Sequence, residues 1–126
     1  MTKKLIVIVG PTAVGKTKAS IELAEKFNGE IVSADSRLLY RGMDIGTAKP
    51  TMEELSQIRH HLVNVSDPDV TWSLAKYQKA AFKAIDDIHS RGKLPLLVGG
   101  TGQYIKSIYQ GWNIPEEKPE IGRAHV

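Results

Sequence analysis

At 126 residues the chain is long enough for one small domain with its own core and short for a complete α/β nucleotide enzyme. Its 41% hydrophobic and 25% charged content is that of an ordinary globular protein, and a net charge of +3 permits an anionic partner without naming one. The lack of cysteine excludes a disulfide framework and any thiolate metal site, and no apolar run approaches a signal peptide's core or a membrane span, so a cytoplasmic protein is expected.

Leu5–Val9 is apolar on both faces and predicts a buried parallel strand. It runs into Gly10-Pro11-Thr12-Ala13-Val14-Gly15-Lys16-Thr17, which fits the phosphate-binding pattern G-x-x-x-x-G-K-[ST]. Glycines let such a loop curl so that successive N–H groups point at one anion, and the following helix adds the positive end of its dipole. Lys16 brings a full charge to the outer phosphate, and the Thr17 hydroxyl is placed to ligate Mg²⁺. The helix that follows is expected to bury Ala19, Leu23, Ala24 and Phe27 and to end at Asn28-Gly29. A second strand is predicted over Glu30–Ala34, with Asp35 and Ser36 at its carboxyl end. Ligands of open α/β sheets gather there, which puts Asp35 in the same crevice as Lys16.

Residues 36–50 read as a loop, and Thr51-Met52-Glu53-Glu54 fits a capping box that opens a short helix. His61–Val65 predicts a short strand closed by Asp67-Pro68. Ser73 caps a longer helix with the stripe Tyr77, Ala81, Ile85 and Ile88, ending near Arg91-Gly92. Leu94–Val98 is the next strand, with Pro95 tolerable near its start, and Gly99-Gly100-Thr101-Gly102 leads into a helix from about Gln103. Strands and helices alternate, so the class is α/β with a parallel sheet flanked by helices.

Some four strands suggest an incomplete sheet, the N-terminal part of a longer protein. Glu120-Ile121-Gly122-Arg123-Ala124-His125-Val126 can be encoded by GAG ATC GGA AGA GCA CAC GTC, which resembles a common sequencing adapter read in frame. Residues 1–119 are therefore expected to be the authentic P-loop portion and 120–126 a non-native tail.

A loop of this kind serves kinases, NTPases and some transferases, so the position of the acid matters. An NTPase usually places a metal-binding Asp at the end of a later strand, but here that strand ends in Gly-Gly-Thr-Gly. Asp35 is the acid that ends a strand in the right place, which fits a small-molecule kinase or a group transfer with a carboxylate base. His60 and His61 would point to opposite faces of a strand and so would not chelate one ion together. Asp86 and Asp87 fall on the polar side of a helix, and Trp72 and Trp112 read as packing residues.

Taken together, Gly10–Thr17, Asp35-Ser36-Arg37-Leu38-Leu39-Tyr40, Arg41–Pro50, His60-His61-Leu62, Asp67-Pro68 and Val98–Ile105 resemble the tRNA dimethylallyltransferase family in order and spacing over residues 5 to about 112. The resemblance implies transfer of a dimethylallyl group from its diphosphate to N6 of the adenosine 3′ of the tRNA anticodon. It makes the loop, with Lys16, a diphosphate cradle assisted by Mg²⁺ on Thr17, and Asp35 the general base. It places Thr101 in the same crevice against tRNA or donor, and Ser36, Arg37 and Leu38 as RNA contacts. Arg37 and Arg41 read equally well as solvated loop charges. Leu39 and Gln103 depart from the family's usual residues, and Leu39 is expected to bear on adenine contacts. The implied partners are dimethylallyl diphosphate and the tRNA anticodon loop, with the protein a monomer away from membranes. The alternatives are prenylation of free adenine nucleotides, an ATP-dependent kinase, and a nucleotide-binding piece without turnover.

Overall fold

Four parallel strands form among the described residues: β1 (Ile6–Val9), β2 (Gly29–Ser33), β3 (His60–His61) and β4 (Leu94–Gly99). They lie in one sheet in the order β1-β4-β2-β3. Between and after them run α1 (Val14–Lys26), α2 (Met52–Gln57), α3 (Leu74–Ser90) and α4 (Gly102–Gly111). The computed structural model describes residues 4–9, 14–41 and 51–111, without the side chains of 14–17, 109 and 111.

The connection from β1 to β2 passes over β4 through α1, whereas β3 returns to β4 through α3. Right-handed crossovers in opposite directions put their helices on opposite faces. The cores agree. Val7, Val32, Ala34 and Leu97 turn toward Tyr77, Ala81, Ile85 and Ile88 of α3 and Tyr104, Ile105 and Ile108 of α4. Ile8, Ile31 and Leu96 turn toward Ile21 and Ala24 of α1. The reversal of strand order falls between β1 and β4, so the crevice of this sheet opens at their carboxyl ends.

The sequence expectations hold for α2 and α3. Thr51 and Glu54 form the reciprocal capping box, Ser73 caps α3 by accepting from the Lys76 amide, and the expected stripe of α3 is buried. Gly92 follows the Arg91 cap with φ +75°.

Other boundaries shift. β1 begins at Ile6 rather than Leu5, β2 spans Gly29–Ser33 rather than Glu30–Ala34, and β4 reaches Gly99. α1 buries Ser20, Ile21 and Ala24, not Ala19 and Phe27, which are exposed. At about 100° per residue Ala19 sits far around the helix from Ala24, and Phe27 lies beyond the last turn. Asn28, at φ +55°, supplies the left-handed exit from α1. Gly29 is needed instead for space, since a Cβ there would stand 2.5 Å from the Leu94 carbonyl oxygen. β3 stops at His61 rather than reaching Val65, because Leu62 and Asn64 take φ values of +68° and +57° and turn the chain out of the ladder. Pro95 stands early in a strand paired on both sides. The Leu94 amide donates toward β2, so alternation leaves the missing Pro95 donor facing the β1 side, where pairing begins only at Ile6 and Leu96.

At the amino end of the strands, the buried Glu30 carboxylate takes both Arg91 guanidinium nitrogens, Nη2 at 2.8 Å, and His61 Nε2 at 2.8 Å. Arg91 also meets Asp87 at 2.8 Å, which ties the α3 cap to β2 and β3. The Arg91 bonds outweigh burial and, with His61, pull the Glu30 carboxyl down to about 2. At the other end, Gly99 abuts the end of β2: a Cβ on it would lie 2.3 Å from the Ala34 carbonyl oxygen.

Three outcomes are expected. A carboxyl with a depressed folded-state pKa stabilises fully above its ordinary value and loses that contribution as pH falls toward 2. Urea melts from pH 7 to 2 should therefore show wild type losing up to about 3 kcal/mol more than Glu30→Gln across pH 4.5 to 2. Gly99→Ala should cost about 3 kcal/mol, since the obstructing atoms are backbone. Gly102→Ala, facing open space, should stay within about 0.5 kcal/mol of wild type in the same urea melts.

Candidate active site

Three chain segments meet at the carboxyl ends of β1, β4 and β2. Val9, the last residue of β1, pairs with Gly99, the last of β4. The Ala34 amide donates to the Val98 carbonyl at 2.7 Å, and the Thr101 amide donates to the Ala34 carbonyl at 3.1 Å. Beyond the ladder, the Ser36 amide donates to Thr101 Oγ1 at 3.0 Å, with the two hydroxyl oxygens 3.4 Å apart. Thr101 thus turns its hydroxyl toward the turn after β2, while its carbonyl accepts from the Tyr104 and Ile105 amides in the first turn of α4.

Asp35 stands between these contacts and is 4% exposed. Its Oδ1 accepts from the Arg37 amide at 2.9 Å, an Asx turn that fixes the side chain over its own loop. The Arg37 guanidinium lies 3.7 Å from the same oxygen but is itself 56% exposed, so the ion pair is open to water on one side. The Asp35 amide donates to Ser33 Oγ at 3.3 Å, and the Tyr77 hydroxyl donates to the Ser33 carbonyl at 2.8 Å. Burial pushes the Tyr77 phenol above its ordinary value, which keeps it a proton donor. Its ring stacks on Tyr104 with centroids 3.9 Å apart, linking α3 to the start of α4.

The structure brings Asp35, Ser36 and Thr101 together and sets Arg37 at the rim. Leu38 follows in the same turn and is buried. Leu39 is completely buried in the core beside α3 and α4, which corrects the expectation that it bears on adenine contacts. Arg41 is paired with Asp67 at 2.8 Å on the surface. Gln103 is exposed. Gly10, Pro11, Thr12 and Ala13 lie outside the described residues. Val14, Gly15, Lys16 and Thr17 open α1 by their backbone, and their side chains lie outside the description. His60 and His61 do not converge: His60 Nδ1 meets the Ile58 carbonyl, and His61 meets Glu30. No group of three or more His, Asp or Glu among the described residues is arranged to hold a metal ion. Trp72 packs against the core with the Lys76 ammonium 4.8 Å from its ring centroid, and Trp112 lies outside the described residues. Among the described residues no helix is long and apolar enough to cross a membrane.

Sequence reasoning passed over Ser33 and Tyr77. The available signal was a hydroxyl inside an apolar strand, two residues before an acid, and a tyrosine in an otherwise aliphatic stripe.

The IPP transferase family model matches residues 38–125. The chain is 63% identical over 115 residues to the tRNA dimethylallyltransferase of Roseiflexus sp. (strain RS-1), covering 91% of this chain and 38% of that protein. It is 60% identical to that of Herpetosiphon aurantiacus, covering 91% of this chain and 36% of the relative. The fold superposes on the full-length tRNA isopentenylpyrophosphate transferase of Bacillus halodurans with a TM-score of 0.82 and 52% identity, over 90% of this chain and 37% of that one. A eukaryotic dimethylallyltransferase acting on tRNA gives 0.79 and 42% identity, over 84% and 26%. The chain thus spans little more than a third of the curated relatives it matches. With this match, and with the parallel sheet and its Asp35–Ser36–Thr101 cluster in place, the chain belongs to the IPP transferase family.

Proposed function

We propose that this chain is the N-terminal part of an enzyme that transfers a dimethylallyl group from dimethylallyl diphosphate to N6 of the adenosine 3′ of the anticodon in tRNA. Residues 1–119 would belong to its P-loop domain, and the enzyme would act as a cytoplasmic monomer. The observation that carries the reading is the joining of Asp35 to Thr101 through the Ser36 amide, at the carboxyl ends of adjacent strands. That end of the sheet is where the phosphate loop leaves β1.

The adenine N6 attacks the carbon that bears the diphosphate, the C–O bond breaks, and the diphosphate leaves. Asp35 takes the proton that the amine sheds. A carboxylate this buried would be reached by a base extruded from its stack, with Ser36, Arg37, Leu38 and Thr101 as its RNA contacts. Lys16 and the loop N–H groups other than that of Pro11, which has none, would hold the leaving diphosphate, where negative charge accumulates. Mg²⁺, held by Thr17, would neutralise further charge on that diphosphate.

The test uses the full-length protein from the gene that carries this sequence, with dimethylallyl diphosphate, Mg²⁺ and unmodified tRNA. Mass spectrometry of the digested nucleosides should show prenylated adenosine, reduced by at least about 10²-fold in Asp35→Asn. Prenylated AMP without a tRNA product, or phosphate transfer from ATP, would overturn the tRNA assignment.

A further inference from the structure

The β2–β3 ladder ends early, and its unfinished end lies beside Asp35. The register pairs Ile31 with His60 and Val32 with His61, and the Ile31 amide donates to the Arg59 carbonyl. Carried two residues further, that register would bring Val63 against the Ser33 carbonyl and the Asp35 amide, so that the N–H and C=O of one residue satisfied both. It does not, because the chain turns away at Leu62 and Asn64. The Asn64 and Val65 amides donate instead to the Leu38 and Leu39 carbonyls. Two buried main-chain groups next to the carboxylate then need other partners. The Tyr77 hydroxyl takes the first and Ser33 Oγ takes the second.

We propose that Ser33 is a positioning residue for Asp35: its hydroxyl replaces the missing strand as acceptor for the Asp35 amide, while its carbonyl is anchored to α3 by Tyr77. The substitution has a consequence for access. Had β3 continued, its backbone would run alongside Asp35. With Ser33 and Tyr77 as stand-ins, both groups are held, and among the described residues no strand pairs with this edge of β2 beyond Val32. Ser33 is 3% exposed and touches no substrate in this role; it acts through the orientation of Asp35. Its bond is local, spanning two residues, whereas the Tyr77 bond spans 44 and fixes the strand end to the helix layer.

This inference rests on Asp35 being the base, and the experiment separates the two. In the full-length enzyme, Ser33→Ala should lower kcat for tRNA prenylation about tenfold, with KM for dimethylallyl diphosphate within about twofold of wild type. Ser33→Cys keeps the side-chain volume but accepts weakly, and should fall in the same range; it stands in if Ser33→Ala does not fold. Ser33→Thr, which retains the hydroxyl, should recover most of kcat. Thermal melts on each variant confirm that the assay temperature lies below unfolding. Wild-type kcat in both Ser33→Ala and Ser33→Cys, with Asp35→Asn inactive, would overturn the role of Ser33 and leave the base in place. An active Asp35→Asn would overturn the base itself, and this inference with it. Equal losses in Ala, Cys and Thr variants would show that packing at residue 33, not its hydroxyl, is what matters.

Discussion

At its carboxyl end β4 approaches the chain just past β2 so closely that only glycine fits, and the site depends on it. Gly99 has no Cβ, and its backbone lies so near the Ala34 carbonyl that any side chain would displace one strand. That contact lets the Ala34 carbonyl accept from Thr101 and lets the Thr101 hydroxyl reach the Ser36 amide. A shift of an ångström would break these bonds in series, since hydrogen bonding falls steeply with distance. The glycine-rich turn after β4 is therefore a spacer that sets where Thr101 stands relative to Asp35.

Sheet topology decides what this spacer is used for. β4 lies between β1 and β2, so the loop after β1 and the turn after β2 both open beside the turn after β4. Helices on both faces make the interior dry, and the two cores hold the three strand ends in one register. α4 starts directly from Thr101, and its Tyr104 ring lies on Tyr77 of α3. The elements that build the core are thus the same ones that aim the site.

Much of this was legible in the sequence because it rests on local rules. The α3 stripe at 77, 81, 85 and 88 follows helical period, Ser73 and Thr51 are side-chain caps, and Asp35 sits where an apolar strand gives way to polar residues. What was not legible depends on tertiary geometry. The α1 stripe was misplaced because weak amphipathicity let two helical faces compete, and only the sheet's Ile8, Ile31 and Leu96 choose between them. β3 was overextended because alternation from 61 to 65 looks like a strand, while the left-handed turns at Leu62 and Asn64 are set by bonds to residues 38 and 39. Leu38 and Leu39 are identical in type, so nothing local separates their environments. Of the two, Leu39 alone joins the core packed on α3 and α4.

β2 carries one buried carboxylate near its start and leads to another just past its end, and their surroundings differ. Glu30 is met by two Arg91 nitrogens and His61, with the Lys93 ammonium at 3.9 Å, and holds its charge to about pH 2. So many strong partners leave it no capacity to exchange a proton near neutrality, and its removal would strand Arg91 and His61 at the sheet's base. Asp35 instead meets the amide and the half-exposed guanidinium of its own turn, at the end where β3 has already left the sheet. One strand therefore places a carboxylate where the fold is tied together and leads directly to a second at the end of the sheet that β3 does not reach. The early end of β3 leaves the Ser33 carbonyl to Tyr77 and the Asp35 amide to Ser33 Oγ, whereas a strand continued in the same register would have held both through residue 63.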